Sequence, residues 1–187
     1  MSFAINETKI PGCYEMVPQK FTDKRGAFIK TFQQEEYANN QLHVQFTEEY
    51  YSVSTRGVLR GLHFQLPPKE HVKIVYCVFG EIMDVVVDLR VGSPAYGKFE
   101  IFHLSADMSN MVYIPPGLAH GFYVHRDPAI VMYKASTLHA PQWDSGIHWA
   151  SLGIPWPDSN PITSEKDAGL PPFHEFQSPF IYRQETK

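Results

Sequence analysis

"HVKIVYCVFGEIMDVVVDLR", residues 71–90, is the stretch on which the fold turns. It is β-branched and apolar on both sides of Gly80, which predicts two strands. Gly80-Glu81 between them predicts a tight hairpin. Side chains alternate along a strand, so Lys73 shares a face with Val75, Cys77 and Phe79, and Val72, Ile74, Tyr76 and Val78 take the other. Both faces are apolar. Lys73 therefore lies either near a strand end, with its ammonium reaching water, or in an enclosed cavity with a counter-charge. In the second strand Met83, Val85, Val87 and Leu89 form an unbroken apolar face, while Asp84 and Asp88 share the other with Ile82 and Val86. The expected hairpin makes Asp84 a cross-strand neighbour for Lys73, as an ion pair or as part of a wet, ligand-lined surface.

Outward from this stretch the pattern continues. "KFEIFHLS" (98–105) and "MVYIP" (111–115) are separated by a polar turn, and "GFYVH" (121–125) and "AIVMYKAS" (129–136) form another expected pair around "RDP". Short strands at this density predict an all-β antiparallel sandwich or barrel. The helical signals are "TFQQEEYANN" (31–40) and a short turn after Ser164, and the proline-rich segment from Pro155 is expected to wrap the surface or cover a site mouth. A chain of 187 residues with no repeat and no linker predicts a single domain over 1–187.

Composition narrows the function. Net charge is −4 with no basic run, which argues against a nucleic-acid partner. No apolar run approaches membrane-spanning length, the first residues lack a signal-peptide pattern, and the two cysteines, Cys13 and Cys77, make no disulfide framework. A cytoplasmic protein without membrane association is the expectation.

Several polar groups interrupt this apolar background. In "RGVLRGLHFQ" (56–65) a regular strand turns Arg60 and His63 to opposite faces; a bulge at Gly61 would let both reach one ligand. In "IPPGLAHGF" (114–122) Gly117 suits the positive φ of a type II turn, and His120 enters the next strand. Tyr133 alternates with Val131 and Ala135 and faces inward, as a core tyrosine or a site group. In "SEKD" (164–167) Ser164 and Asp167 have near capping-box spacing. Base, acid, cation and carboxylates in one small all-β domain are what a proton-transfer pocket needs.

Six ordered motifs carry a resemblance. "DKRGAF", "GVLRGLHFQ", "VKIVYCVFGEIMDVVVDLRVGSPAYG", "IPPGLAHGF", "MYKAS" and "GIHWASLGIPWP" followed by "SEKD" make the chain similar to the dTDP-4-dehydrorhamnose 3,5-epimerase family. The resemblance implies a cupin-like jelly roll, a homodimer, no metal, no cofactor and a nucleotide-diphosphate sugar as substrate. It implies inversion at C3, C5 or both of a 4-keto-6-deoxyhexose, in deoxysugar synthesis for surface polysaccharide. By the same resemblance His63 is the general base, Asp167 its orienting carboxylate, Tyr133 the opposite-face acid and Lys73 the cation beside the keto oxygen. Arg60 becomes a diphosphate contact, Asp84 and His120 pocket-lining groups, and Arg25 and Phe28 packing for the base.

The chain departs from the family pattern at the nucleotide. Glu48 and Tyr50 stand where thymidine-using members have glutamine and asparagine, His139 replaces a tyrosine, and Lys30 replaces the glutamate of "RGxFxE". Cytidine- or guanosine-linked sugars, including 3,6-dideoxy sugars, therefore stand beside thymidine-linked ones. Two alternative functions stay open on the residues alone. A metal-dependent cupin oxygenase or isomerase needs clustered histidines, and the order His63-Phe64-Gln65 breaks that motif. A non-catalytic nucleotide-sugar binder has no need of an acid and a base on opposite faces.

Overall fold

Two strands of unusual length organise the molecule. The computed structural model describes residues 3–183. Its strands are β1 (Phe3–Glu7), β2 (Tyr14–Pro18), β3 (Lys20–Asp23), β4 (Gly26–Ile29), β5 (Glu48–Ser54), β6 (Leu59–Gln65), β7 (Lys73–Asp88), β8 (Phe99–Ser105), β9 (Met111–Ile114), β10 (Leu118–Ala135) and β11 (Asp144–Gly146). Two short helices, α1 (Gln34–Asn39) and α2 (Glu165–Ala168), fall where the sequence signals place them.

Neither expected hairpin exists. Residues 73–88 are one strand, and so are residues 118–135; they pair antiparallel from Leu118↔Asp88 to Ala135↔Lys73. Each changes partner halfway. The first part of β7 pairs with β9 and the last part with β8, while β10 pairs with β6 early and β5 late. The halves therefore belong to two layers, β1-β2-β9-β7-β10-β5 and β8-β7-β10-β6-β11, which is a jelly-roll sandwich. The crossover lies at Gly80 and residues 126–130, where the register shifts. Gly80 has φ +82°, and a Cβ there would sit 2.5 Å from the Arg126 carbonyl oxygen. A side chain cannot fit at this corner, so glycine is required for close approach of two backbones, not for a reversal.

The layering explains the two-sided apolarity of β7. Val75, Cys77, Ile82 and Val86 pack with Phe122, Val131 and Tyr133 between the layers. Ile74 and Tyr76 face a second cluster with Met16, Tyr37 and Met111, which α1 covers. Met83, Val85, Val87 and Leu89 lie under the C-terminal segment, whose Trp156, Phe173, Phe176 and Phe180 pack on their cluster. That proline-rich segment is the cover of an otherwise exposed apolar sheet face. Asp88 is buried for a structural reason: it accepts from Arg90 Nε and Nη2 and from Ser93 Oγ at 2.6–2.9 Å. Asp84 is buried too, and it sits on the same strand as Lys73, paired with Phe122 and Phe102.

Candidate active site

The strand β6 supplies the first functional side chain. Arg60 opposes Phe122 and His63 opposes His120, so β6 spends one residue more than β10 over this span. The extra residue is a bulge at Gly61, whose φ is +128° and whose Cβ would lie 2.6 Å from the Gly121 Cα. Strict alternation is broken, as the glycine between the two polar groups suggested. Arg60 Nε donates to Ser54 Oγ at 2.9 Å, and His63 turns toward a different partner.

That partner is Asp167. Its Oδ1 lies 2.7 Å from His63 Nε2, and its Oδ2 accepts the Gly61 amide at 3.1 Å. The Asp167 amide in turn donates to Ser164 Oγ at 3.0 Å, so the capping reading and the site reading of "SEKD" are both right. Burial works to raise the Asp167 pKa, but the hydrogen bonds and charge of His63 with the Gly61 and Ser164 bonds outweigh it, and the carboxyl is held below its usual range. The dyad joins a buried acid to a part-exposed imidazole, side-chain exposure 5% against 31%.

His63 lines a cavity of about 340 Å³ together with Lys73, Glu48, Tyr50, Asp144 and Lys166. Lys73 is buried, with Ala135 and Ile114 as strand partners. Burial pulls its ammonium down to about 8, against the opposing pull of Asp144 and then Asp84. The enclosed-cavity reading of this lysine holds. The hairpin ion pair with Asp84 does not, because the two residues lie along one strand.

Tyr133 stands beside this cavity on β10. Its ring stacks on Tyr50 with centroids 4.7 Å apart and planes 14° from parallel, and its hydroxyl lies 3.3 Å from Ser52 Oγ. Burial pushes the phenol well above its ordinary value; the Ser52 bond opposes this and the nearby Tyr50 and Asp84 reinforce it. The ring of His120 approaches Tyr133 edge-on at 6.3 Å. His120 Nε2 lies 2.6 Å from Asp84 Oδ2, and Asp84 Oδ1 has no hydrogen-bond partner among the described residues. His120 also lines a small adjoining recess with His63 and Lys73. His63, His120, Lys73 and Tyr133 thus form one neighbourhood.

The edge strand β5 supplies a row that the motif reading caught only in part. Glu48, Tyr50, Ser52 and Ser54 alternate, and each touches a site residue: the His139 amide donates to Glu48 Oε2 at 2.6 Å, and the others meet Tyr133 and Arg60. Ser52 and Ser54 were legible from the period-two pattern once β5 was recognised. Asp144 and Lys166, ion-paired at the cavity wall, and the buried Gln65 carry no such signal.

Arg25 and Phe28 do not join the site within one chain. They lie on the two-stranded β3–β4 sheet, where Arg25 pairs with Asp23 at 2.5 Å and both border a separate cleft. The physical reason is connectivity: among the described residues this hairpin pairs with no other strand of its own chain. Gln65, at the place of a second motif histidine, is held by its amide, with Oε1 accepting the Ala140 amide and Nε2 donating to the Lys69 carbonyl.

Known proteins share this architecture. Residues 7–175 match the family model for dTDP-4-dehydrorhamnose 3,5-epimerase. The dTDP-4-dehydrorhamnose 3,5-epimerase of Shigella flexneri is 42% identical over 166 residues, 86% of this chain and 91% of the relative. A dTDP-6-deoxy-D-glucose-3,5-epimerase of Legionella pneumophila, solved with dTDP-4-keto-L-rhamnose, superposes with a TM-score of 0.92 at 32% identity, covering 97% of this chain and all 100% of its own. A 3'-monoepimerase of Streptomyces bikiniensis, solved with dTDP-quinovose, gives 0.85 at 33% identity, with coverage of 89% and 86%. The chain belongs to the dTDP-4-dehydrorhamnose 3,5-epimerase family and is an epimerase of the isomerase class.

Proposed function

We propose that this member of the family inverts C3, C5 or both of a nucleotide-diphosphate-linked 4-keto-6-deoxyhexose, with His63 as base, Asp167 as its orienting carboxylate, Tyr133 as opposite-face acid and Lys73 beside the keto oxygen. The observation that carries this reading is the His63–Asp167 contact of 2.7 Å opening onto the cavity that Lys73 also lines. A ketone at C4 acidifies the neighbouring C–H bonds, and His63 takes one of these protons. The electron pair moves to the C4 oxygen, giving an enolate that a neighbouring ammonium stabilises. Asp167 holds the imidazole in place and stabilises the imidazolium. The protonated phenol of Tyr133 then delivers a proton to carbon from the other face, which inverts the centre.

Arg60, Asp84 and His120 serve binding in this reading, and the β5 row with His139 faces the substrate. The exposed hairpin residues Arg25 and Phe28 fit a homodimer, in which a second copy places them against a site. Sedimentation at twice the chain mass of 21.4 kDa is the expected result, and a stable monomer opposes it.

The decisive experiment incubates the protein in deuterated water with thymidine-, cytidine- and guanosine-diphosphate 4-keto-6-deoxyhexoses, followed by NMR. Deuterium at C3 or C5 of one substrate is expected, and its position gives the regiochemistry. Tyr133→Phe should keep exchange while losing inversion. No exchange with any of the three rejects the reading.

A further inference from the structure

Gln65 turns its amide nitrogen toward a histidine that the mechanism above does not use. The orientation of its amide is set unambiguously, since Oε1 accepts the Ala140 amide at 2.6 Å and Nε2 lies 2.8 Å from the Lys69 carbonyl oxygen and 3.3 Å from that of Leu138. The same Nε2 lies 3.1 Å from His71 Nδ1. Of the four acceptors within 3.3 Å of this NH₂, the Lys69 carbonyl and this ring nitrogen are the nearest two; with its two N–H bonds directed to them, Nδ1 accepts and the imidazole proton sits on Nε2. Thr137 Oγ1, 3.3 Å from Nδ1 and itself bonded to the Lys69 carbonyl, adds a hydroxyl to the same side of the ring.

The other side of the ring belongs to the cavity. His71 lines both the main cavity and the adjoining recess, in each case with His63 and Lys73. No hydrogen bond of a described residue to its Nε2 is present. The imidazole is also kept neutral, because burial first, and then the positive charge of Lys73 and the proximity of His139, drive its pKa down to about 3. A neutral ring that accepts at Nδ1 can only donate from Nε2.

We propose that His71 is a further catalytic residue, donating its Nε2–H to the substrate's carbonyl oxygen beside Lys73. This rests on the reading of Lys73 as the cation at the 4-keto oxygen. The two groups then share the developing enolate charge, Lys73 as an ammonium and His71 as an uncharged donor that stays protonated throughout the neutral range. A neutral donor adds stabilisation without a second buried positive charge beside Lys73.

The test uses the exchange assay with the nucleotide 4-keto-6-deoxyhexose that the wild-type protein labels. His71→Leu should lower the kcat for exchange by about 10²-fold with KM little changed, as loss of one preorganised donor does. His71→Gln, which keeps both an N–H and an acceptor for Gln65, should recover most of it. Wild-type activity in the leucine variant, a glutamine variant no better than leucine, or an effect confined to KM would overturn the proposal. A second measurement needs neither substrate nor variant. The ¹⁵N spectrum of the wild-type imidazole should show Nε2 protonated and Nδ1 bare from pH 5 to 8, and an Nδ1–H tautomer, or titration near 6.5, overturns it. Absence of exchange by the wild-type protein would count against the proposed function instead, leaving the tautomer test to stand alone.

Discussion

The molecule carries two histidine–aspartate pairs of nearly equal length and unlike surroundings. His63 and Asp167 meet at 2.7 Å with a third of the imidazole side chain open to the cavity, 31%. His120 and Asp84 meet at 2.6 Å with 5% and 0% exposed. In the first pair both carboxylate oxygens are bonded, one to the imidazole and one to the Gly61 amide. In the second, one oxygen is bonded and the other is left without a partner. Contact distance therefore does not tell the two pairs apart. Access does: a base must reach a substrate proton, whereas a closed pair can only shape the site around it.

The largest effect that could break this comparison is on exchange. His63→Ala should lower deuterium incorporation by about 10³-fold or more, within the range expected for loss of a general base. His120→Ala should cost far less. Equal losses in the two variants would erase the distinction drawn from exposure.

Stability should run in the reverse order. Asp84→Ala leaves a buried imidazole without its partner, at a cost of about 1–3 kcal/mol measured by urea unfolding. Asp167→Ala leaves His63 able to find water, so only the Gly61 amide loses a buried bond and the cost should lie at the low end of that range, about 1 kcal/mol. A greater loss for Asp167 would mean that α2 is held mainly by this carboxylate.

The smallest effect is a pH dependence. The folded pKa of Asp167 is depressed, so its contribution to stability is present above the ordinary carboxylate value of about 4 and is lost as pH falls through the folded value. Asp167→Asn should remove that component, and the two unfolding free energies should converge below about pH 4. Parallel curves down to pH 2 would contradict the depressed value.

Much of the fold was legible because period-two apolarity survives in any strand buried on one or both faces. The strands of residues 98–105 and 111–115 and the inward face of Tyr133 were readable that way, and the two helices from "TFQQEEYANN" and the turn after Ser164. The length of the two central strands was not. Gly80-Glu81 and Asp127-Pro128 have the chemistry of reversals, and nothing local tells a corner between two layers from a hairpin. The deciding fact is that the two corners lie against each other, with the Gly80 α-carbon pressed on the backbone of residues 126–129. That is a contact between segments far apart in sequence.

The site divides in the same way. His63, Asp167, Lys73 and Tyr133 were named because motifs at matching order carry them, and the Gly61 bulge because glycine between two polar groups on one strand demands a reason. Gln65, His71, Asp144 and Lys166 were missed as functional groups. Their meaning is relational: a glutamine becomes informative only when its oxygen is seen on one amide and its nitrogen on an imidazole. Arg25 and Phe28 are the converse case: motif order named them, while the hairpin that bears them borders a separate cleft of its own chain.

The carboxylate on His63 comes from 104 residues further along the chain, on a helix of four residues. Every strand of the sandwich precedes that helix. A ribosome therefore delivers every one of these strands, with the imidazole, ammonium and phenol they carry, before it delivers the carboxylate that meets His63. Premature termination between Gly146 and Asp167 would leave every strand made but His63 unpaired and an apolar sheet face uncovered, so the His63–Asp167 contact is itself a mark of nearly complete synthesis.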